Sequence, residues 1–290
     1  FRLRLDPFAV DIGVISVTDT DTEGQQSRLE ASGRIGASDE GWEVALDAGL
    51  DRMSMTRLMV LWPRSFRPGM RQWLETNIPR ATLLGTSAGL RFGPQHDGRV
   101  WALNLRFEDT VATVLQSLPS LQGVSGMLAI QDNSLTVSLD TGRIPAPLGG
   151  MADLTGSTFI VPDITVDRAP SIVHLKTQST ITAVLSLLDL PPFSFLTRAG
   201  RPVTLAQGWA EGEGDIRLRL GDRVPGEQPA FDVRARLTDV RSEVLVPGRV
   251  LAGAELQVVA DNIGMSVAGA IRLGRVPGTA TWSTIFGPEG

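Results

Sequence analysis

The chain has 290 residues, enough for one large β domain or two smaller ones, and its 42% hydrophobic content excludes a disordered polypeptide. A formal net charge of -5, with no run of Lys and Arg, excludes a general nucleic-acid binder, which needs a basic face to displace counterions. Cysteine is absent, so there is no disulfide, thiolate nucleophile or cysteine-type zinc site, a composition compatible with an oxidising compartment or the cytosol.

From the first residues the chain alternates between apolar and polar. Phe1-Arg-Leu-Arg-Leu5 already reads as a strand, and residues 8–18, 28–36 and 42–50 read as three more, separated by turns rich in Asp, Gly and Ser. Met53 to Leu61 suits a short helix ended by Trp62-Pro63, and Pro68 opens a second, in which Phe66, Met70, Trp73, Leu74 and Ile78 fall at helical spacing and form one stripe. Strands resume from Arg80 to about Ile144, with turns at 94–98 and at Asp132-Asn133, and continue through 157–166 and 171–178. Residues 179–190 read as an apolar helix closed by Pro191-Pro192, and 203–286 again as alternating strands with Gly/Pro turns. The order of strands, a proline-closed apolar helix and more strands thus occurs twice. No βαβ rhythm is visible, so the expected fold is mainly β: a long antiparallel, twisted amphipathic sheet forming a groove, or alternatively a closed β-sandwich, with two short helical insertions.

Alternation gives each strand one apolar face. Leu103, Leu105 and Phe107, Val137 and Leu139, Leu218 and Leu220, and Val233 and Leu237 lie on it, and it must cover either another sheet or something that is not protein. Other candidates are weaker. Gly85-Thr-Ser87-Ala-Gly89 matches a nucleophile elbow, but the next residues are Leu90, Arg91, Phe92 and a turn, so no helix supports Ser87, and the possible bases His96 and His174 lack active-site surroundings. Asp19, Asp21, Glu23 and Glu30 approach calcium-loop spacing without the flanking helices, and an acidic hairpin turn is the preferred reading. The two histidines lie far apart with no ligand partner, and no pair of carboxylates stands out among the 32 acids. Trp62 and Trp73 are expected in a core; for Trp101, Trp209 and Trp282, core and ligand groove stand equal.

The segment Leu61-Trp-Pro63, running into Met70-Arg-Gln-Trp-Leu-Glu-Thr-Asn-Ile78 and the strand 81–92, resembles the opening of the domain of unknown function in large AsmA-like envelope proteins of the YhdP type. Leu118-Pro119, Val124-Ser-Gly126, Leu135-Thr-Val137, Val184 to Pro192, Val246-Pro-Gly-Arg249, Gly274 to Pro277 and Trp282 extend the likeness over roughly residues 55–288. The resemblance implies a fragment of a protein anchored in the inner membrane of Gram-negative bacteria and crossing the periplasm. There an apolar β-groove would carry phospholipid acyl chains to the outer membrane, without cofactor, metal or catalysis. In this reading residues 1–52 end a preceding groove segment, 53–290 form the AsmA-like groove domain, and the anchor lies outside the fragment. A structural or chaperone-like envelope module that binds outer-membrane proteins by strand addition is the second expectation.

Overall fold

The structure, a computed structural model, describes residues 1–20, 24–94, 99–191, 193–221 and 228–286. Along the chain the elements are β1 (Arg2–Leu5), β2 (Phe8–Thr20), β3 (Gln26–Ser38), β4 (Gly41–Ser54), α1 (Met55–Leu61), α2 (Pro68–Asn77), β5 (Arg80–Phe92) and β6 (Arg99–Ala112). They continue with β7 (Leu121–Gln131), β8 (Ser134–Pro145), β9 (Met151–Asp153), β10 (Thr158–Val161), β11 (Pro170–Thr180), α3 (Ile181–Leu188) and α4 (Phe195–Arg198). The last five strands are β12 (Gln207–Arg219), β13 (Ala230–Ser242), β14 (Leu251–Asp261), β15 (Gly264–Leu273) and β16 (Val276–Ile285). The fold is mainly β. All 16 strands belong to one antiparallel sheet whose neighbours follow chain order, except that β9 stands aside, paired with β8 and β11, and no barrel closes.

The chain divides into two compact units. The first comprises Phe1–Ala112, Val124–Ser138 and Ile160–Ala169, and the second Thr113–Gly123, Leu139–Phe159 and Pro170–Gly290. Within the first, β2 to β6 pair successively as long antiparallel neighbours, with α1 and α2 between β4 and β5, and the β7–β8 turn places Asp132 and Asn133 at φ 49° and 62°. That pair of left-handed residues matches the twist of the flanking strands, which is why Asp-Asn works as a two-residue connection. Buried apolar residues are few here; Met53, Met55 and Ala81 lie where β4 and β5 meet α1, and Phe107 and Val124 are buried on β6 and β7. Within the second unit β11 to β16 pair in the same way, and the core gathers around α3, where Ile181 packs with Ala206, Ala210, Val240 and Leu256.

Each unit carries a helix grown directly from a strand end. β4 runs into α1 through Ser54, whose hydroxyl accepts the Arg57 N–H at 3.2 Å; β11 runs into α3 through Thr180, whose hydroxyl accepts the Ala183 N–H at 3.1 Å. Both cap residues keep extended backbone, at φ -73° and -75° with ψ 150°. An N-cap of this kind satisfies one of the helix's orphan donors while the strand ladder holds the residue before it, so no loop is needed between strand and helix. The helices therefore begin later than the sequence suggests, at 55 rather than 53 and at 181 rather than 179, because the capping hydroxyl belongs to the strand. The strand expected over 157–166 shortens to Thr158–Val161: Pro162 lacks a ladder donor, and Asp163 accepts both the backbone N–H and the hydroxyl of Thr165, at 2.8 and 2.6 Å, closing a turn.

Thr180→Ala is expected to cost about 1 kcal/mol of stability, the usual worth of a helix N-cap, read as a lower urea midpoint with an unchanged denaturant slope.

Candidate functional site: an uncovered apolar face

The pairing register turns the alternation of each strand into continuous rows. In the first unit, Ile12, Gly33, Leu46, Leu90 and Trp101 stand abreast on β2 to β6, and beside them run Ile15, Ala31, Ala48, Ala88 and Leu103. In the second unit, Leu175, Gly214, Val233, Ala260 and Met265 form one row on β11 to β15, and Thr177, Gly212, Ala235, Val258, Val267 and Trp282 form the next, extending to β16. Each row lies on one face, since side chains two residues apart on a strand point the same way.

These faces are not covered as a core would be. Leu103, Leu105, Val137, Leu139, Leu218, Leu220, Val233 and Leu237 are all half-buried, and of the nine expected groove residues only Phe107 is buried. Ile15, Leu29, Phe92 and Trp282 stand exposed on the same faces. A sandwich needs a second sheet packed face to face; here the strands of each unit are hydrogen-bonded into one sheet.

Glycines let the rows crowd together. A Cβ on Gly214 would lie 2.9 Å from the Val233 side chain and 2.2 Å from the Asp232 carbonyl oxygen, and one on Gly269 would lie 2.7 Å from the Leu256 side chain. The larger neighbour leans over the glycine in both places, filling the space a side chain would take.

The opposite face is polar and self-paired. In the second unit His174 Nδ1 meets Asp215 at 2.6 Å, Arg217 reaches the same carboxylate at 3.0 Å, Gln178 donates to Glu211 at 3.2 Å and Arg236 pairs with Glu255. In the first, Arg91 forks onto Asp47 at 2.8 and 3.0 Å. These exposed pairs add little stability, but they keep this side in water.

Helices cross the apolar face at one end in each unit. The residues packed around α3 include Ala210, Leu237 and Leu256, which stand abreast as the next row of the same face, and Val267, whereas the row through Leu175 and Val233 takes no part in that cluster. In the first unit Asp19 follows Ile15 and Val17 on the same side of β2 and receives a bidentate pair from Arg57 of α1. The hydrogen bond from Arg57 holds the Asp19 carboxyl below the usual carboxylate range, against the opposing effect of desolvation, and the backbone N–H of Arg28, at 2.7 Å, does the same for Asp51.

The remaining sequence candidates do not assemble. Ser87 lies mid-strand on β5, opposite Gly49 and Asn104, two residues past a bulge at Gly85 (φ 53°); the elbow motif is a bulged strand. Asp19 and Glu30 point to opposite faces, since Asp19 pairs in register with Ser27 and Glu30 with Ser16, so they cannot close on one ion; Asp21, Glu23 and His96 lie outside the described residues. Trp73, expected in a core, is exposed, because α2 buries none of its residues; Trp62 is half-buried and donates its indole N–H to the Phe66 carbonyl at 2.7 Å. Trp101 and Trp282 belong to the apolar rows, whereas Trp209 alternates with Ala210 and so shares the polar face with Glu211 and Glu213. Leu220 falls just past the end of β12. The covering by α3 was not read from the sequence; the spacing Ile181, Val184, Leu185 held that signal.

Among the described residues no helix is long and apolar enough to cross a membrane, and no three metal-ligating side chains cluster. Neither family models, nor curated proteins, nor solved structures yield a match to this chain.

Because the Asp19 carboxyl is depressed in the folded state, its pairing stabilises the protein above the ordinary carboxylate range and is lost as the pH falls through the folded value. Asp19→Asn is expected to lower the urea midpoint at pH 7, with the gap to the parent narrowing as pH is taken from about 4 toward 2. Equal midpoints at pH 7 would leave the Arg57 pair without a role in stability.

Proposed function

We propose that this chain is a segment of a bridge-like lipid-transfer protein of the AsmA-like, YhdP type, acting in the periplasm between inner and outer membranes, without enzymatic chemistry. The observation that carries the reading is the apolar face: five or more strands wide in each unit, half-exposed, and backed by a face of ion pairs. Soluble proteins do not leave surfaces of that extent to water without a partner. Acyl chains suit it better than a compact ligand does, because the rows offer methyl and methylene groups with hardly a directional polar group. Each buried methylene contributes about 0.8 kcal/mol, so a few side chains hold a lipid tail while allowing it to move along the row. Leu103, Leu105, Val137, Leu139, Leu218 and Val233 are the proposed lipid-facing residues, with the rows around them; Phe107 is buried and Leu237 packs against the cluster beside α3.

A second reading has one observation in its favour: β16 pairs with β15 alone among the described residues, leaving a sheet edge to which an outer-membrane protein strand could add. The two readings separate by mutation. Purified without detergent, the chain is expected to carry stoichiometric phospholipid, detected by mass spectrometry of an organic extract. Leu105→Asp and Val258→Asp, each still giving a β-type circular dichroism spectrum, are expected to lose it, since either places a carboxylate among the rows. A well-folded parent chain free of phospholipid would sink the groove reading; strand addition predicts tolerance of both substitutions and sensitivity along the edge.

A further inference from the structure

The helical pair of the first unit packs inside out. Arg71 of α2 is turned toward α1: its guanidinium donates to the Met59 carbonyl at 2.9 Å and pairs with Glu75 at 2.6 Å, its Nε is buried without a hydrogen-bond partner, and its side chain is 19% exposed. Met70 and Trp73, at helical spacing on α2, are 53% and 54% exposed, and Phe66 in the turn before it 59%. A guanidinium is therefore better shielded than an indole on the same short helix, the reverse of what water alone selects. The turn is braced in this arrangement. The Trp62 indole donates to the Phe66 carbonyl and the two rings sit 6.0 Å apart, so Trp62 braces the turn in which Phe66 stays exposed. Val60 and Leu61, 67% and 48% exposed at the end of α1, continue the patch.

Charge decides what fits this surface. Between residues 61 and 78 the chain has three arginines, Arg64, Arg67 and Arg71, against the single acid Glu75, a local charge of +2 in a chain whose net charge is -5. Arg64 and Arg67 are exposed beside the apolar side chains. Indole and phenyl rings flanked by guanidinium groups, on a helix that lies along a surface, match the boundary of an anionic bilayer: rings and thioether at the level of the upper acyl chains, arginines at the phosphates.

We propose that α2 and the turn before it form an in-plane docking element for an anionic phospholipid bilayer. This goes beyond the groove reading, because docking requires no lipid on the sheet.

The test is flotation of the purified chain with vesicles of phosphatidylglycerol and phosphatidylethanolamine, and with vesicles of phosphatidylcholine alone. The chain is expected to float with the first and not with the second, and to release as salt is raised. The double substitution Met70→Ser with Trp73→Ser is expected to reduce flotation by about tenfold or more, since both side chains are exposed and their loss leaves the fold intact. Arg64→Gln with Arg67→Gln is expected to abolish the preference for anionic vesicles. Circular dichroism and co-purifying phospholipid, measured on the same variants, are expected to stay at parent values, which separates docking from groove loading: a parent chain that floats yet carries no phospholipid would sink the groove reading alone. Docking is overturned if the parent does not float with anionic vesicles, or if both double variants float as well as it does. It is overturned equally if the patch instead supports a dimer, seen by sedimentation velocity, that the Met70 and Trp73 substitutions abolish.

Discussion

The backbone ladder is the constraint on which everything else rests. Once neighbouring strands are fixed in register, every side chain is committed to one of two faces, and a one-residue slip would exchange them. The long hairpins hold that register over ten residues or more, so a local preference for alternation becomes a surface property. Where the register shifts, between Ile12 and Ile15, at Gly85 and at Asp239, a bulge absorbs the extra residue and the strand continues. The extra residue at Asp239 shows how the ladder recovers: Gln207 meets Arg241 and Trp209 meets Thr238, and pairing then runs on without a further shift.

A sheet built this way has little core, and stability has to come from elsewhere. One cluster of buried apolar residues gathers where α3 meets its sheet and Met53 and Met55 are buried at the root of α1, while the ladder hydrogen bonds carry the strands between. The two helices are thus the points where an otherwise open surface is anchored. Packing of Ile181 against Leu256 and pairing of Arg57 with Asp19 do the same job by different means, one apolar and one ionic.

Most of the strand pattern was legible in the sequence because alternation is a local property. Asp132-Asn133 announced its turn for the same reason: the conformation it needs is one these two residues tolerate. What could not be read is what covers each face, which depends on partners distant in the chain. The stripe of Met70 and Trp73 looks like a core-facing stripe by spacing, and only the inward turn of Arg71 shows that it faces out. The faces of Asp19 and Glu30 were hidden for a related reason, since the acidic spacing of a turn does not say which side of the hairpin each acid will occupy.

The strand order has a consequence for how such a molecule is made and enlarged. Nearly every strand bonds to its neighbours in the chain, so contacts link adjacent segments, and ordering can spread from one strand pair to the next as the polypeptide emerges. Adding or removing a hairpin changes the width of the array without altering any existing pair. Reach in this architecture is a matter of counting repeats, with no core that must be redesigned each time the span changes.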